Sequence, residues 1–159
     1  MTDMAASSTH AVAIGLPLIV ALVMTMGTVV IHAVALIGMV RFIRHHHRLG
    51  RTGVRFWVDV TIVWGTVLLA AAAHLLDIFM WSVVFVLCGE VGQLSAAFYN
   101  SAMLYTSLGY GDVAMSSSWK LLGPFETADG MLAFGVSTAI VISVILLMVR
   151  TKFHDLPDL

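Results

Sequence analysis

Charge is what this chain has least of. Only 11% of its 159 residues are Asp, Glu, Lys or Arg, 60% are hydrophobic, and the mean hydropathy is +0.98. Soluble globular chains carry roughly a quarter charged residues and a smaller apolar share, so the composition excludes that class and implies an integral membrane protein. Cysteine is almost absent as well. A lone Cys88 rules out an intrachain disulfide and a cysteine-rich metal centre, and its apolar neighbours read as packing. There is no internal repeat, and no nucleophile, acid–base pair or cofactor loop that would signal an enzyme or a resident cofactor. No nucleic-acid partner is expected of so sparsely basic a chain.

What is present is long apolar runs, and the few charges fall between them. Residues 11–40 contain no acid or base, and His32 is their one titratable side chain. About twenty such residues suffice to cross a bilayer core. Residues 1–10 carry Asp3 and neither Lys nor Arg, unlike the basic leader of a cleaved signal peptide, so they predict an outward-facing N-terminal tail before an uncleaved span. Residues 41–55 hold Arg41, Arg44, Arg48, Arg51 and Arg55 around His45, His46 and His47; with Arg150 and Lys152, seven of the eight basic residues fall on one face. By the positive-inside rule that face is cytoplasmic, which predicts an outside N-terminus and a cytoplasmic C-terminal tail at 150–159. The five arginines recur at three- and four-residue intervals, but three histidines, Gly50 and Gly53 among them argue against a voltage-sensing helix. A basic cytoplasmic loop touching anionic lipid, at about 1 kcal/mol per basic group, explains them. Consecutive histidines do not match a helical chelate spacing, and a solvated stretch is the simpler reading.

A second apolar run, 56–90, is longer than an upright crossing needs. Asp59 near its start places its first turns at the interface, while His74 and Asp77 fall inside the membrane, three residues apart on one helical face. They form an intramembrane polar pair, with each other or with a neighbouring segment; a structural contact and a proton-sensitive latch both stay open. Residues 94–105 are apolar but too short to cross, and 119–149 form a last long run. The tryptophans at 57, 64, 81 and 119 read as interface anchors and packing.

Between the short segment and the last run stands Thr106-Ser107-Leu108-Gly109-Tyr110-Gly111-Asp112. Glycines flanking an aromatic let a backbone alternate in handedness, since glycine enters positive φ at little cost, and such a backbone can turn successive carbonyls the same way. This heptapeptide resembles the selectivity filter of potassium channels. Trp119 lies seven residues beyond Asp112, as a tryptophan does in minimal bacterial potassium channels, and Gly130-Met-Leu-Ala-Phe-Gly135 is similar, with one residue of offset, to their inner-helix G-x-x-x-F-G. The chain as a whole resembles the small bacterial channels of the ion-transport-2, or two-pore-domain-type, family, although it carries one filter peptide only.

The resemblance implies an all-α membrane protein with three transmembrane helices. Its pore domain would occupy 56–149, with outer helix 56–90, re-entrant pore helix 94–105, filter 106–112 and inner helix 119–149, and the 11–40 span would be additional. One filter loop cannot surround an ion, so a homotetramer in a bacterial plasma membrane is implied, passing K+ passively. The main-chain oxygens of Ser107, Leu108, Gly109 and Tyr110, with the Ser107 hydroxyl, would replace the hydration shell of K+. Tyr110 would pack against Phe98 or Tyr99, and Asp112 would stand at the outer mouth. Three departures bear on this: Ser107 stands where threonine is usual, Leu108 replaces valine, and Met103 occupies a position where some relatives keep a carboxylate. Glu126 or Asp129 would then support the filter instead, or be plain solvent-facing acids. Gly130 and Gly135 read as gating hinges or as small residues that let helices approach. A weakly selective cation channel, through Ser107, and a non-conducting regulatory subunit are the alternative readings.

Overall fold

The computed structural model describes residues 13–49, 56–110 and 114–152, which form four helices in the order α1 (Gly15–Arg48), α2 (Phe56–Leu87), α3 (Leu94–Tyr105) and α4 (Leu122–Lys152). No strand occurs among the described residues. Helices α1, α2 and α4 are long and apolar enough to cross a membrane, and at 1.5 Å per residue each is about 45–50 Å long, well beyond a ~30 Å hydrocarbon core. The protein is an all-helical, multi-pass membrane protein.

Each helix buries a stripe at helical spacing. On α2 the stripe is Ile62, Thr66, Ala70, Ala73, His74, Asp77, Ile78, Trp81, Ser82 and Phe85; on α4 it is Leu122, Glu126, Asp129, Gly130, Ala133, Ser137, Val144 and Met148. The opposite faces carry Trp64, Leu68, Leu75, Leu132, Val136 and Leu146, all exposed, as befits helices whose surroundings are apolar. Helix α1 packs on both α2 and α4, and α3 sits between α2 and α4. Small residues on α3 allow this, since its buried positions are Ala97, Asn100, Ser101 and Tyr105.

Apolar clusters close the two ends of the bundle. Ala21, Met24, Trp81, Phe85, Val91, Ala97 and Leu122 pack at one end, and Ile62, Val144 and Met148, with Phe42 and Val58 against them, at the other. Trp81, fully buried, is thus a core residue, whereas Trp57 and Trp64 are exposed as interface anchors would be.

The N-terminal helix differs from the expected boundary. It does not end near residue 40 but continues through Arg48, so Arg41, Arg44 and Arg48 are exposed positions on its last turns and not part of a loop. Nothing between Val40 and Leu49 breaks a helix: the first glycine after Gly38 is Gly50, and arginine is a good helix former. Arg51, Arg55, the 1–10 tail and the end of the C-terminal tail lie outside the described residues, as does the side chain of His47.

Helix α2 ends in a Schellman motif. The Glu90 N–H donates to the Phe85 carbonyl at 3.0 Å and the Gly89 N–H to the Val86 carbonyl at 3.0 Å, with Gly89 at φ 74°. Glycine tolerates this left-handed geometry without a Cβ penalty. Just beyond, Glu90 receives both the Ser116 N–H at 2.7 Å and the Ser116 hydroxyl at 2.6 Å, which pins the segment entering α4 to the turn between α2 and α3.

Candidate functional site

Helix α3 occupies residues 94–105, the bounds its apolar pattern predicts, and it stops in the same motif as α2. The Leu108 N–H donates to the Met103 carbonyl and the Ser107 N–H to the Leu104 carbonyl, both at 3.0 Å, and Ser107 takes the left-handed position at φ 60°. A serine therefore stands where α2 has a glycine. Gly109 is again left-handed, at φ 53°, while Leu108 is not. The alternation of handedness that two glycines suggest thus begins at Ser107, ahead of the first glycine. Thr106 to Tyr110 are all exposed, Leu108 at 57% and Tyr110 at 70%. For an apolar and an aromatic side chain this leaves surface that a second molecule or copy can cover. Gly111 and Asp112 lie outside the described residues.

The support behind this loop comes from α2 and α4. Ser101 on α3 donates from its hydroxyl to the Ile78 carbonyl at 2.8 Å and is hydrogen-bonded to the fully buried carboxyl of Glu126. Thr127 donates to the Leu104 carbonyl at 2.9 Å. Glu126 therefore holds the body of the short helix, one turn before the loop. Asp129, the other candidate, faces away from the loop: both its carboxylate oxygens lie against the Thr25 hydroxyl of α1, at 3.0 and 3.2 Å. Phe98 packs with Ile78, Tyr105 and Ala133. Tyr99 is half exposed.

Gly130 lies directly under the end of α3. A Cβ there would come 2.9 Å from the Tyr105 carbonyl carbon and closer still to its oxygen, whereas one at Gly135 would meet nothing within 4 Å. Close approach of α4 to backbone is what requires glycine at 130. No such contact constrains Gly135.

His74 and Asp77 share a face as their spacing requires, but Tyr105 stands between them. Its hydroxyl donates to Asp77 Oδ2 at 3.0 Å and lies 3.0 Å from His74 Nδ1. His32 of α1 reaches the same carboxylate, Nδ1 to Oδ2 at 3.1 Å. Phe134 of α4 stacks on His74 with ring centroids 4.3 Å apart. One polar network, enclosed by apolar clusters, thus joins α1, α2 and the end of α3 at the base of the exposed loop, with α4 packed on it. His32 and Tyr105 are its members beyond the pair that the spacing predicts, while Thr25 on Asp129 and Ser101 on Glu126 are separate contacts. The one sequence signal was His32, the sole titratable group in its apolar run.

The arrangement is a short helix, held between two long ones, that delivers an exposed loop with left-handed residues at Ser107 and Gly109 to the molecular surface. Over residues 56–146, which contain α2, α3 and most of α4, the chain matches the ion-channel family model of the ion-transport-2 type. No curated protein and no solved structure matches it. The matched segment covers more than half of the chain and leaves out α1, and the chain belongs to the ion-transport-2 family of ion channels.

Proposed function

We propose that this chain is a potassium-selective channel in which four copies bring residues 106–112 together around a common axis in a bacterial plasma membrane, with the N-terminus outside. The observation that carries the reading is the loop itself: a G-Y-G-D peptide at the C-terminal end of a short helix too short to cross, in a chain of an ion-channel family. In this reading α3 is the re-entrant pore helix, α2 the outer helix and α4 the inner helix. Irregular backbone at membrane depth is tolerated only where protein or water covers it, and neighbouring copies supply that cover for Leu108 and Tyr110. The C-terminal end of α3 carries the negative pole of its dipole and favours a cation beside the loop. Main-chain oxygens of Ser107, Leu108, Gly109 and Tyr110 then stand in for water around K+. Glu126 acts as the brace through Ser101. Arg41, Arg44 and Arg48, exposed at one end of α1, together with Arg51 and Arg55, lie against anionic lipid headgroups.

A second reading has one specific observation in its favour. Ser107 lacks the methyl that restrains a threonine χ1, and a looser innermost site would pass other monovalent cations. Purified protein in liposomes separates the two. K+ flux well above Na+ flux, abolished by Tyr110→Ala, supports the potassium channel; a bi-ionic reversal potential near zero supports the weakly selective one; and no flux of either ion under any stimulus leaves a non-conducting subunit.

A further inference from the structure

Buried polar atoms in folded proteins nearly always have a partner, and those that do not call for an explanation such as an ion. Among the described residues, eight buried side-chain atoms lack a partner, and three of them, His32 Nε2, His74 Nε2 and Asp77 Oδ1, belong to one cluster where α1 meets α2. His74 is 8% exposed and Asp77 0%. One donor atom from each of His32, His74 and Asp77 lies within 4.8 Å of one from each of the others.

The hydrogen bonds settle which imidazole nitrogens are free. The Thr28 carbonyl, 3.1 Å from His32 Nδ1, can only accept, so Nδ1 of His32 carries the hydrogen and Nε2 presents a lone pair. The Tyr105 hydroxyl spends its one proton on Asp77, so His74 Nδ1 donates to the phenol oxygen and its Nε2 is free as well. An imidazole whose Nδ1–H is held by a carbonyl, carboxylate or hydroxyl while the other nitrogen stays bare is the usual state of a metal-ligating histidine. The donor set, two imidazoles and a carboxylate, suits a borderline divalent ion of the zinc type. A cavity of about 100 Å³ between α1 and α4, lined by Thr25, Thr28, His32 and Asp129 and by four apolar side chains, reaches His32 but neither His74 nor Asp77, and places a second carboxylate nearby to offset the dication's charge.

We propose that His32, His74 and Asp77 form a binding site for a divalent transition-metal ion, clasping α1 onto the channel domain beside Tyr105. Four-coordinate zinc with bonds of about 2.0–2.1 Å needs donors roughly 3.4 Å apart, and His32 holds Nδ1, not Nε2, 3.1 Å from Asp77 Oδ2. Binding therefore requires the His32 ring to turn its Nε2 toward Asp77 and draws the three side chains together, tightening α1 against α2. The site does not depend on which cation the pore selects.

The test uses full-length protein in detergent, with His45, His46 and His47 all changed to Gln so that the cytoplasmic histidines cannot bind. ZnCl2 is titrated by calorimetry, and the thermal midpoint is followed in parallel. The expected result is one Zn2+ per chain with a raised midpoint, weakened at least tenfold by His32→Gln and by His74→Gln. Absence of binding in that background overturns the proposal, and so does binding that survives both substitutions. Should either variant fail to fold, the zinc X-ray absorption edge of the background protein decides: a shell with two imidazoles supports the site, and a shell with fewer contradicts it.

Discussion

Ser107 adopts at φ 60° the geometry that Gly89 adopts at φ 74° in the matching cap of α2. An L side chain in the left-handed region costs roughly 1–2 kcal/mol, while glycine loses about 0.5–1 kcal/mol more backbone freedom on folding. Ser107→Gly is therefore expected to raise stability by up to about 1 kcal/mol, read as a thermal midpoint a few degrees higher in detergent; the same variant, lacking the hydroxyl, should change the relative flux of K+ and Na+. The sequence announces positive φ at the glycines but not at Ser107, because that angle follows from how α3 terminates. Cys88, just past the end of α2, has its thiol pushed above the ordinary range by burial and then by the nearby Glu90 carboxylate. A raised thiol pKa leaves less thiolate at any given pH, so maleimide labelling of Cys88 at pH 7.5 should run slower than that of a free cysteine and should gain rate as pH rises. Glu90→Gln, which removes the second cause, should speed it.

At the scale of elements, the contact between α4 and the end of α3 separates two glycines that the sequence presents alike. Gly130→Ala drives a methyl into the Tyr105 carbonyl, and overpacking against backbone costs typically about 1–3 kcal/mol. Gly135→Ala meets open space and should be neutral or stabilising by up to about 1 kcal/mol, since alanine is the better helix former. A gating role of Gly135 would then appear as altered open probability in a protein of undiminished thermal midpoint. The carboxyl of Glu126 gives a parallel contrast. Glu126→Gln keeps a hydrogen-bonding group at Ser101 and should retain the fold, whereas Glu126→Ala leaves a cavity beside α3 and should lower the midpoint by several degrees. The bounds of α3 and the existence of three spans are legible because apolar run length alone decides them. The partners of Gly130, Asp129 and His74 are not, because each lies on another helix, between 25 and more than 100 residues away in the chain, and spacing within one element says nothing about them. The continuation of α1 through Arg48 is hidden for a different reason: a run of charge marks the end of an apolar span, yet arginine ends a span without ending a helix.

At the scale of the whole molecule, a bundle of α2, α3 and α4 carries the channel domain, and α1 is fastened to it by Thr25 on Asp129 and His32 on Asp77. Tyr105→Phe removes the hydroxyl that links His74 to Asp77 and should cost about 1–3 kcal/mol, the penalty of leaving buried polar groups short of a partner; amide exchange should rise in α1 as well as at the end of α3 if the network fastens both. The channel class is legible from a few residues, whereas the seating of α1 depends on polar contacts between helices that no local pattern encodes. The exposed Leu108 and Tyr110 bear on the central claim, because a single chain offers them no cover. The most direct measurement is a cryo-electron density map of the purified protein in K+. The account predicts four copies around one axis, with residues 107–110 lining it, their carbonyls turned inward and ion density between them. Copies whose 106–112 segments lie apart, or face lipid, would contradict it.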